Sequence, residues 1–176
     1  MNLKINYPLI HTIKWRNNMK EFFQNNLIEF ALLQLNKPYV WGSVGPDEFD
    51  CSGLTYYLFK ELFNIDINKT GYGIGDTTKQ LTNNIGKLVQ YNKQDKNKKE
   101  YLLNIEKGDL LFFHTQSLDE TKPTPKNRYP GHVGIYIGNN QFIHASSNDN
   151  KVTISTLTDE WINKLVASKN IINDII

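Results

Sequence analysis

Apolar positions follow a helical rhythm in the first third of the chain and an alternating one in the last third. From Met19 to Leu35 the residues Phe22, Phe23, Leu27, Phe30, Ala31, Leu33 and Leu35 approximate a 3.6-residue stripe, which predicts an amphipathic helix. Residues 1–18 before it are expected to be an irregular lead-in, with Pro8 acting as a helix breaker. The stretch Asn36 to Asp50 contains two prolines and two glycines and reads as a loop. A second helix is predicted from Cys51 to Phe63, with Leu54, Leu58 and Leu62 on one side, and a short one near Thr77–Asn83. The polar run Lys93–Glu100 reads as a solvated loop. After Lys107-Gly108 the period drops to two and predicts strands over Asp109–His114, His132–Ile137, Gln141–Ala145 and Lys151–Ile154. The Pro-rich stretch Gln116–Gly131 between the first two is a long loop, of a length that often carries function. A last helix is predicted over Leu157–Ala167. Helices first and strands later indicate an α+β domain with an antiparallel sheet, one domain over 19–176.

Composition narrows the function classes. The chain has 176 residues, 39% hydrophobic and 22% charged, which is ordinary for a globular domain. A net charge of +2 supplies no strong basic field, so a nucleic-acid partner is not expected. No stretch reaches the roughly 20 apolar residues of a membrane span. The N-terminus has neither a continuous apolar run nor a small-residue cleavage site, so no secretory signal is read there. The expected settings are the cytoplasm, a phage particle or delivery by another export route. A monomer is expected.

A single cysteine excludes an internal disulfide. That cysteine, Cys51, stands where the glycine- and proline-containing loop enters the second helix. Unpaired N–H groups and the helix dipole favour negative charge at such a position, so its pKa is expected to be lowered. The same groups could contribute to an oxyanion hole. The commoner fate of a cysteine is to be a small buried hydrophobe.

A cysteine nucleophile needs a base and the base an orienting group. His11 lies in the lead-in and His114 at the mouth of the long loop, and neither reads as chemical. His132 and His144 lie in strand patterns on either side of Gly138-Asn139-Asn140, a strong turn signal. A hairpin centred on residue 138 puts them opposite each other, on the face away from Val133, Ile135 and Ile137; this requires an odd or bulged loop. A structural zinc site wants four ligands at short spacings, which one cysteine and two distant histidines do not supply. No metal and no cofactor are expected.

Four segments occur in order: Pro38-Tyr39-Val40-Trp41-Gly42; Phe49-Asp50-Cys51-Ser52-Gly53-Leu54; Gly108-Asp109-Leu110-Leu111-Phe112-Phe113; and Gly131-His132-Val133-Gly134-Ile135-Tyr136-Ile137-Gly138 through Phe142-Ile143-His144-Ala145-Ser146. Together, over roughly residues 25–156, they resemble the NlpC family of bacterial cell-wall cysteine peptidases. The resemblance implies a papain-like core, with the nucleophile-bearing helix packed on the antiparallel sheet. It implies Cys51 as nucleophile, His132 as base and His144 as orienting residue. It also implies Tyr39 beside Cys51, and Asp50 and Ser52 contacting the free amino end of a peptidoglycan stem peptide. For Asp50 the alternative is a helix N-cap. The bond implied is that between D-glutamate and a diamino acid. The chain departs from the family pattern at Ser43, where a second glycine is common, and in its longer segments 93–100 and 116–131. An amidase or acyltransferase on the same scaffold, and an inert wall-binding module, are the rival readings.

Overall fold

A computed structural model describes residues 7–68, 76–91, 98–114 and 130–176, by backbone alone at 7–11 and 98–99. The parts of the polar run and of the long loop at 92–97 and 115–129 lie outside the described residues. Helix α1 spans Tyr7–Leu32. It begins twelve residues before the expected start at Met19, so the stretch read as irregular is helical from Tyr7 onward. Pro8 falls in the first turn, where its missing N–H costs no helical hydrogen bond. The buried stripe of α1 is narrower than the apolar pattern. Leu27 and Ala31 are enclosed and Phe23 and Phe30 pack beside them, while Phe22 and Leu33 face solvent.

Helix α2, Cys51–Phe63, matches its predicted bounds. Asp50 caps its start, and Asn64 ends it in a left-handed conformation with its N–H on Lys60 O while Ile65 N–H returns to Phe59 O. Next come α3 (Thr77–Thr82), β1 (Lys87–Gln90), α4 (Lys98–Tyr101) and a short 3₁₀ turn at Leu102–Asn104. Strands β2 (Leu110–Phe113), β3 (His132–Gly138), β4 (Gln141–Ser146) and β5 (Lys151–Thr156) follow. Helix α5 (Asp159–Lys164) leads into β6 (Leu165–Asn170) and a final 3₁₀ turn, Ile172–Asp174.

Among the described residues the strands form one antiparallel sheet in the order β1-β6-β2-β3-β4-β5. The fold is α+β, as the pattern predicts, with three differences. The end of the run read as a solvated loop, Lys98–Glu100, is helical in α4. Strand β1 lies where the sequence predicts no element, because four residues at a sheet edge carry little alternation. The predicted helix 157–167 is instead one and a half turns of helix followed by β6. All six residues of β6 are buried between β1 and β2, so they show no period of two and read like a buried helix segment.

Both faces of the sheet are covered. On one, Leu110, Phe112, Val133, Ile135, Ile143 and Ala145 pack against Leu27 and Ala31 of α1 and Leu54 and Leu58 of α2. On the other, Leu111, Phe113, Tyr136 and Phe142 pack with Ile105, Leu157, Ile162 and Trp161. Each fully buried leucine or phenylalanine contributes about 1.5–3 kcal/mol. The histidine-bearing face of the β3–β4 hairpin, opposite Val133 and Ile135, is therefore a second core.

Candidate active site

The first turn of α2 is tied to the loop before it through one carboxylate. Asp50 Oδ1 accepts from Gly53 N–H (2.6 Å) and Ser52 Oγ (3.0 Å), and Oδ2 accepts from Gly42 N–H (2.9 Å). Ser43 O in turn accepts from Asp50 N–H at 2.8 Å. Gly53 is required because a Cβ there would lie 2.0 Å from Ser43 O. This is the N-cap alternative left open for Asp50. Its oxygens are committed to the turn, and burial raises its pKa despite those hydrogen bonds. Ser52 is equally buried, with its hydroxyl on Asp50.

Cys51 is 8% exposed at the start of α2. The backbone N–H of Val133 is near enough to pull the thiol pKa down, so the thiol lies close to the residue that follows His132 on β3. The expected lowering of its pKa is overturned. Burial first, then the charge of Asp50, push the thiol up to about 12, against the pull of the N–H groups of Val133, Ser52 and Cys51 itself. Desolvation outweighs the helix terminus here because the whole first turn is enclosed. Tyr39 is half-buried nearby. Burial and the proximity of Cys51 and Asp50 push its phenol up.

The histidines meet, but not directly across the hairpin. The turn residues Asn139 and Asn140 both have positive φ, and the strands pair Ile135 with Ile143 and Tyr136 with Phe142. A bulge between Tyr136 and Gly138 offsets the register. Continuing the register sets His144 against Gly134, so His132 is its diagonal neighbour on the same face. A Cβ on Gly134 would lie 3.1 Å from His144 Cβ and 2.8 Å from the Phe142 ring, so this glycine makes room for the pair. His132 Nε2 and His144 Nδ1 are 2.8 Å apart, and His144 Nε2 is 2.9 Å from Ser155 Oγ on β5. Trp161 of α5 packs on both rings, at centroid distances of 5.8 and 5.6 Å. Burial, then the neighbouring His144, hold His132 well below the ordinary histidine range, and burial takes His144 down to about 4 against the pull of Asp149. Both rings are therefore neutral near pH 7. Among the described residues no three His, Cys, Asp or Glu side chains gather as a metal site.

The matched region covers all of these residues. The sequence profile of the NlpC/P60 family matches residues 36–170. The chain belongs to the NlpC/P60 family. It is 31% identical over 129 residues to the murein DD-endopeptidase MepH of Escherichia coli (strain K12), covering 73% of this chain and 38% of that protein. It is 30% identical over 138 residues to the gamma-D-glutamyl-L-lysine dipeptidyl-peptidase of Bacillus subtilis (strain 168), covering 76% of this chain and 36% of that one. The chain thus spans well under half the length of these two relatives. Among solved structures, the NlpC/p60 domain of the peptidoglycan hydrolase SagA superposes with a TM-score of 0.56 at 26% identity, over 84% of this chain and 97% of that one. The α+β fold is thereby the papain-like fold of NlpC/P60 domains.

Ser155 and Trp161 carried no signal in the sequence. Ser155 lies in a polar strand run that also holds Thr153 and Thr156, and Trp161 lies in the region read as a plain helix. What singles them out is the hairpin and strand register that brings them to the histidines.

Proposed function

We propose that this domain is a cysteine peptidase that hydrolyses peptidoglycan stem peptides, with Cys51 as nucleophile, His132 as base and His144 as the group that orients His132. The observation that carries it is the hydrogen-bonded line His132–His144–Ser155, which begins one residue before Val133, whose N–H lies near the Cys51 thiol. With a proton on its Nε2, His132 donates to His144 Nδ1. His144 then carries its own proton on Nε2 and donates it to Ser155 Oγ. This leaves His132 Nδ1 free as an acceptor, the state a general base needs.

The raised thiol and depressed imidazole favour a neutral resting pair over a thiolate–imidazolium pair. Proton transfer then accompanies attack. Cys51 Sγ adds to the scissile carbonyl as its proton passes to His132, and backbone N–H groups at the α2 terminus face the oxyanion. His132 returns the proton to the leaving amine, and water hydrolyses the thioester. Tyr39, half-buried beside Cys51, is the substrate-facing residue of the three predicted; Asp50 and Ser52 contribute by building the turn. For the bond cut, the family resemblance favours D-glutamyl–diamino acid, in line with the name of the Bacillus relative.

Purified peptidoglycan and free stem peptides are digested with wild type and with Cys51→Ala, and the products are read by mass spectrometry. Two peptide fragments that vanish in the variant are expected. Cleavage retained by Cys51→Ala sinks the mechanism, and products that require a second acceptor replace the peptidase by an acyltransferase.

A further inference from the structure

The nucleophile and the base sit on different elements, α2 and β3, so something must hold the two in register. Helix α3 contacts the chain immediately beside each. Thr77 Oγ1 donates to Pro130 O (2.7 Å), two residues before His132. Gln80 Nε2 donates to Ser52 O (2.8 Å), one residue after Cys51, and Gln80 Oε1 accepts from Thr55 Oγ1 (2.8 Å) on the next turn of α2. Thr77 and Gln80 are three apart, on one face of α3, and both are buried.

A helix of six residues does not stand alone. This one is fixed at both ends. Asp76 caps its start, accepting from Thr78 N–H and Lys79 N–H. At its other end the buried Lys169 ammonium, reaching in from β6, donates to the carbonyls of Gln80, Leu81 and Asn83 and to Asn83 Oδ1, at 2.7–3.1 Å. A cation at a helix C-terminus also meets the favourable end of its dipole. Gln80 gains a further partner, donating to Asn68 Oδ1 at 2.9 Å.

We propose that Thr77 and Gln80 are positioning residues, and that α3 is a brace setting the separation and orientation of Cys51 and His132. The proposal rests on the Cys51–His132 reading above. The side-chain hydrogen bonds of Thr77 and Gln80 run to Pro130, Ser52, Thr55 and Asn68. The brace acts on Ser52 O and Pro130 O, so loosening it changes proton transfer between the pair more than it changes substrate binding.

The test uses the chain's only cysteine as a probe. The rate of Cys51 alkylation by iodoacetamide is followed against pH in wild type, Thr77→Val, Thr77→Ser and His132→Ala, beside kcat and KM on a free stem peptide. Thr77→Val is expected to lower kcat by about tenfold with KM within about twofold. It should also move the alkylation profile toward that of His132→Ala, and Thr77→Ser should restore both. Thr77→Ala carries the test if the valine variant does not fold. A folded Thr77→Val with wild-type kcat and alkylation profile overturns the brace. If His132→Ala shifts the profile and Thr77→Val does not, the pairing stands and the brace fails. A wild-type profile in His132→Ala overturns the pairing, and the brace with it.

Discussion

Replacing Gly53 by alanine sets two effects of opposite sign against each other inside the first turn of α2. Alanine is the better helix former by about 1 kcal/mol. The new Cβ, however, would stand 2.0 Å from Ser43 O, 2.9 Å from Ser43 C and 3.0 Å from Val44 Cα, all backbone atoms that no rotamer change can move aside. Relieving such an overlap costs about 1–3 kcal/mol. Moving the Ser43 carbonyl also stretches its 2.8 Å bond from Asp50 N–H and, through the same loop, the 2.9 Å bond from Gly42 N–H to Asp50. Each hydrogen bond weakened is worth about 1 kcal/mol. The net is a destabilisation of about 2–4 kcal/mol. Equilibrium urea unfolding reads it directly as a midpoint lowered by about 1 M or more at unchanged slope. Because the turn that moves also carries Cys51, the alkylation rate of the thiol should change in the folded variant. A midpoint equal to or above wild type refutes the reasoning, since helix propensity would then have won.

Three further outcomes are expected. Ser155→Ala removes the hydroxyl 2.9 Å from His144 Nε2, and under the proposed mechanism kcat should fall roughly threefold to tenfold with KM little changed; an unaltered kcat excludes Ser155 from the proposed relay. Asp109 is buried, accepts from Glu106 N–H and Asn170 Nδ2, and burial raises its pKa to about 7. Between about pH 4 and 7 the folded chain holds a proton there that the unfolded chain has released, so the Asp109 contribution declines by up to about 1.4 kcal/mol per pH unit and is lost as pH rises through 7. The unfolding free energy of wild type minus that of Asp109→Asn should therefore fall from pH 4 to pH 8, and a pH-independent difference refutes it. Lys169→Met strips three backbone carbonyls of a buried ammonium and should destabilise by about 3 kcal/mol or more in a urea titration.

The elements legible in the sequence are those that their own residues announce. Helix α2 announces itself through a loop rich in turn residues, a capping aspartate and an apolar face. The β3–β4 hairpin does so through alternation and the Gly138-Asn139-Asn140 turn. Strand β6 has neither: all six of its residues are buried and no hairpin turn precedes it, which hid it. The pairing of His132 with His144 was legible as a shared face, but the diagonal offset depends on a bulge that composition does not announce. The thiol pKa was misjudged for a related reason: the helix terminus is a local property visible in the chain, whereas enclosure of that turn by the sheet and loop is a tertiary one. Ser155, Thr77 and Gln80 belong to the same class, polar residues of ordinary appearance whose partners lie 11 to 53 positions away.

The bulge at the end of β3 bears on how this site can change over generations. A strand alternates faces with every residue, so the count of residues between His132 and His144 decides whether the two rings share a side. Substitutions within Gly138-Asn139-Asn140 alter the comfort of the turn and leave that count intact. Loss or gain of a single residue there reverses its parity, and would turn one histidine toward α2 and the other away, with Cys51 and both histidines still present in the sequence. Descent should accordingly guard the length of this hairpin more strictly than the identity of its turn residues, and a relative with an odd-length change between its two histidines would be expected to have lost the chemistry while keeping the letters.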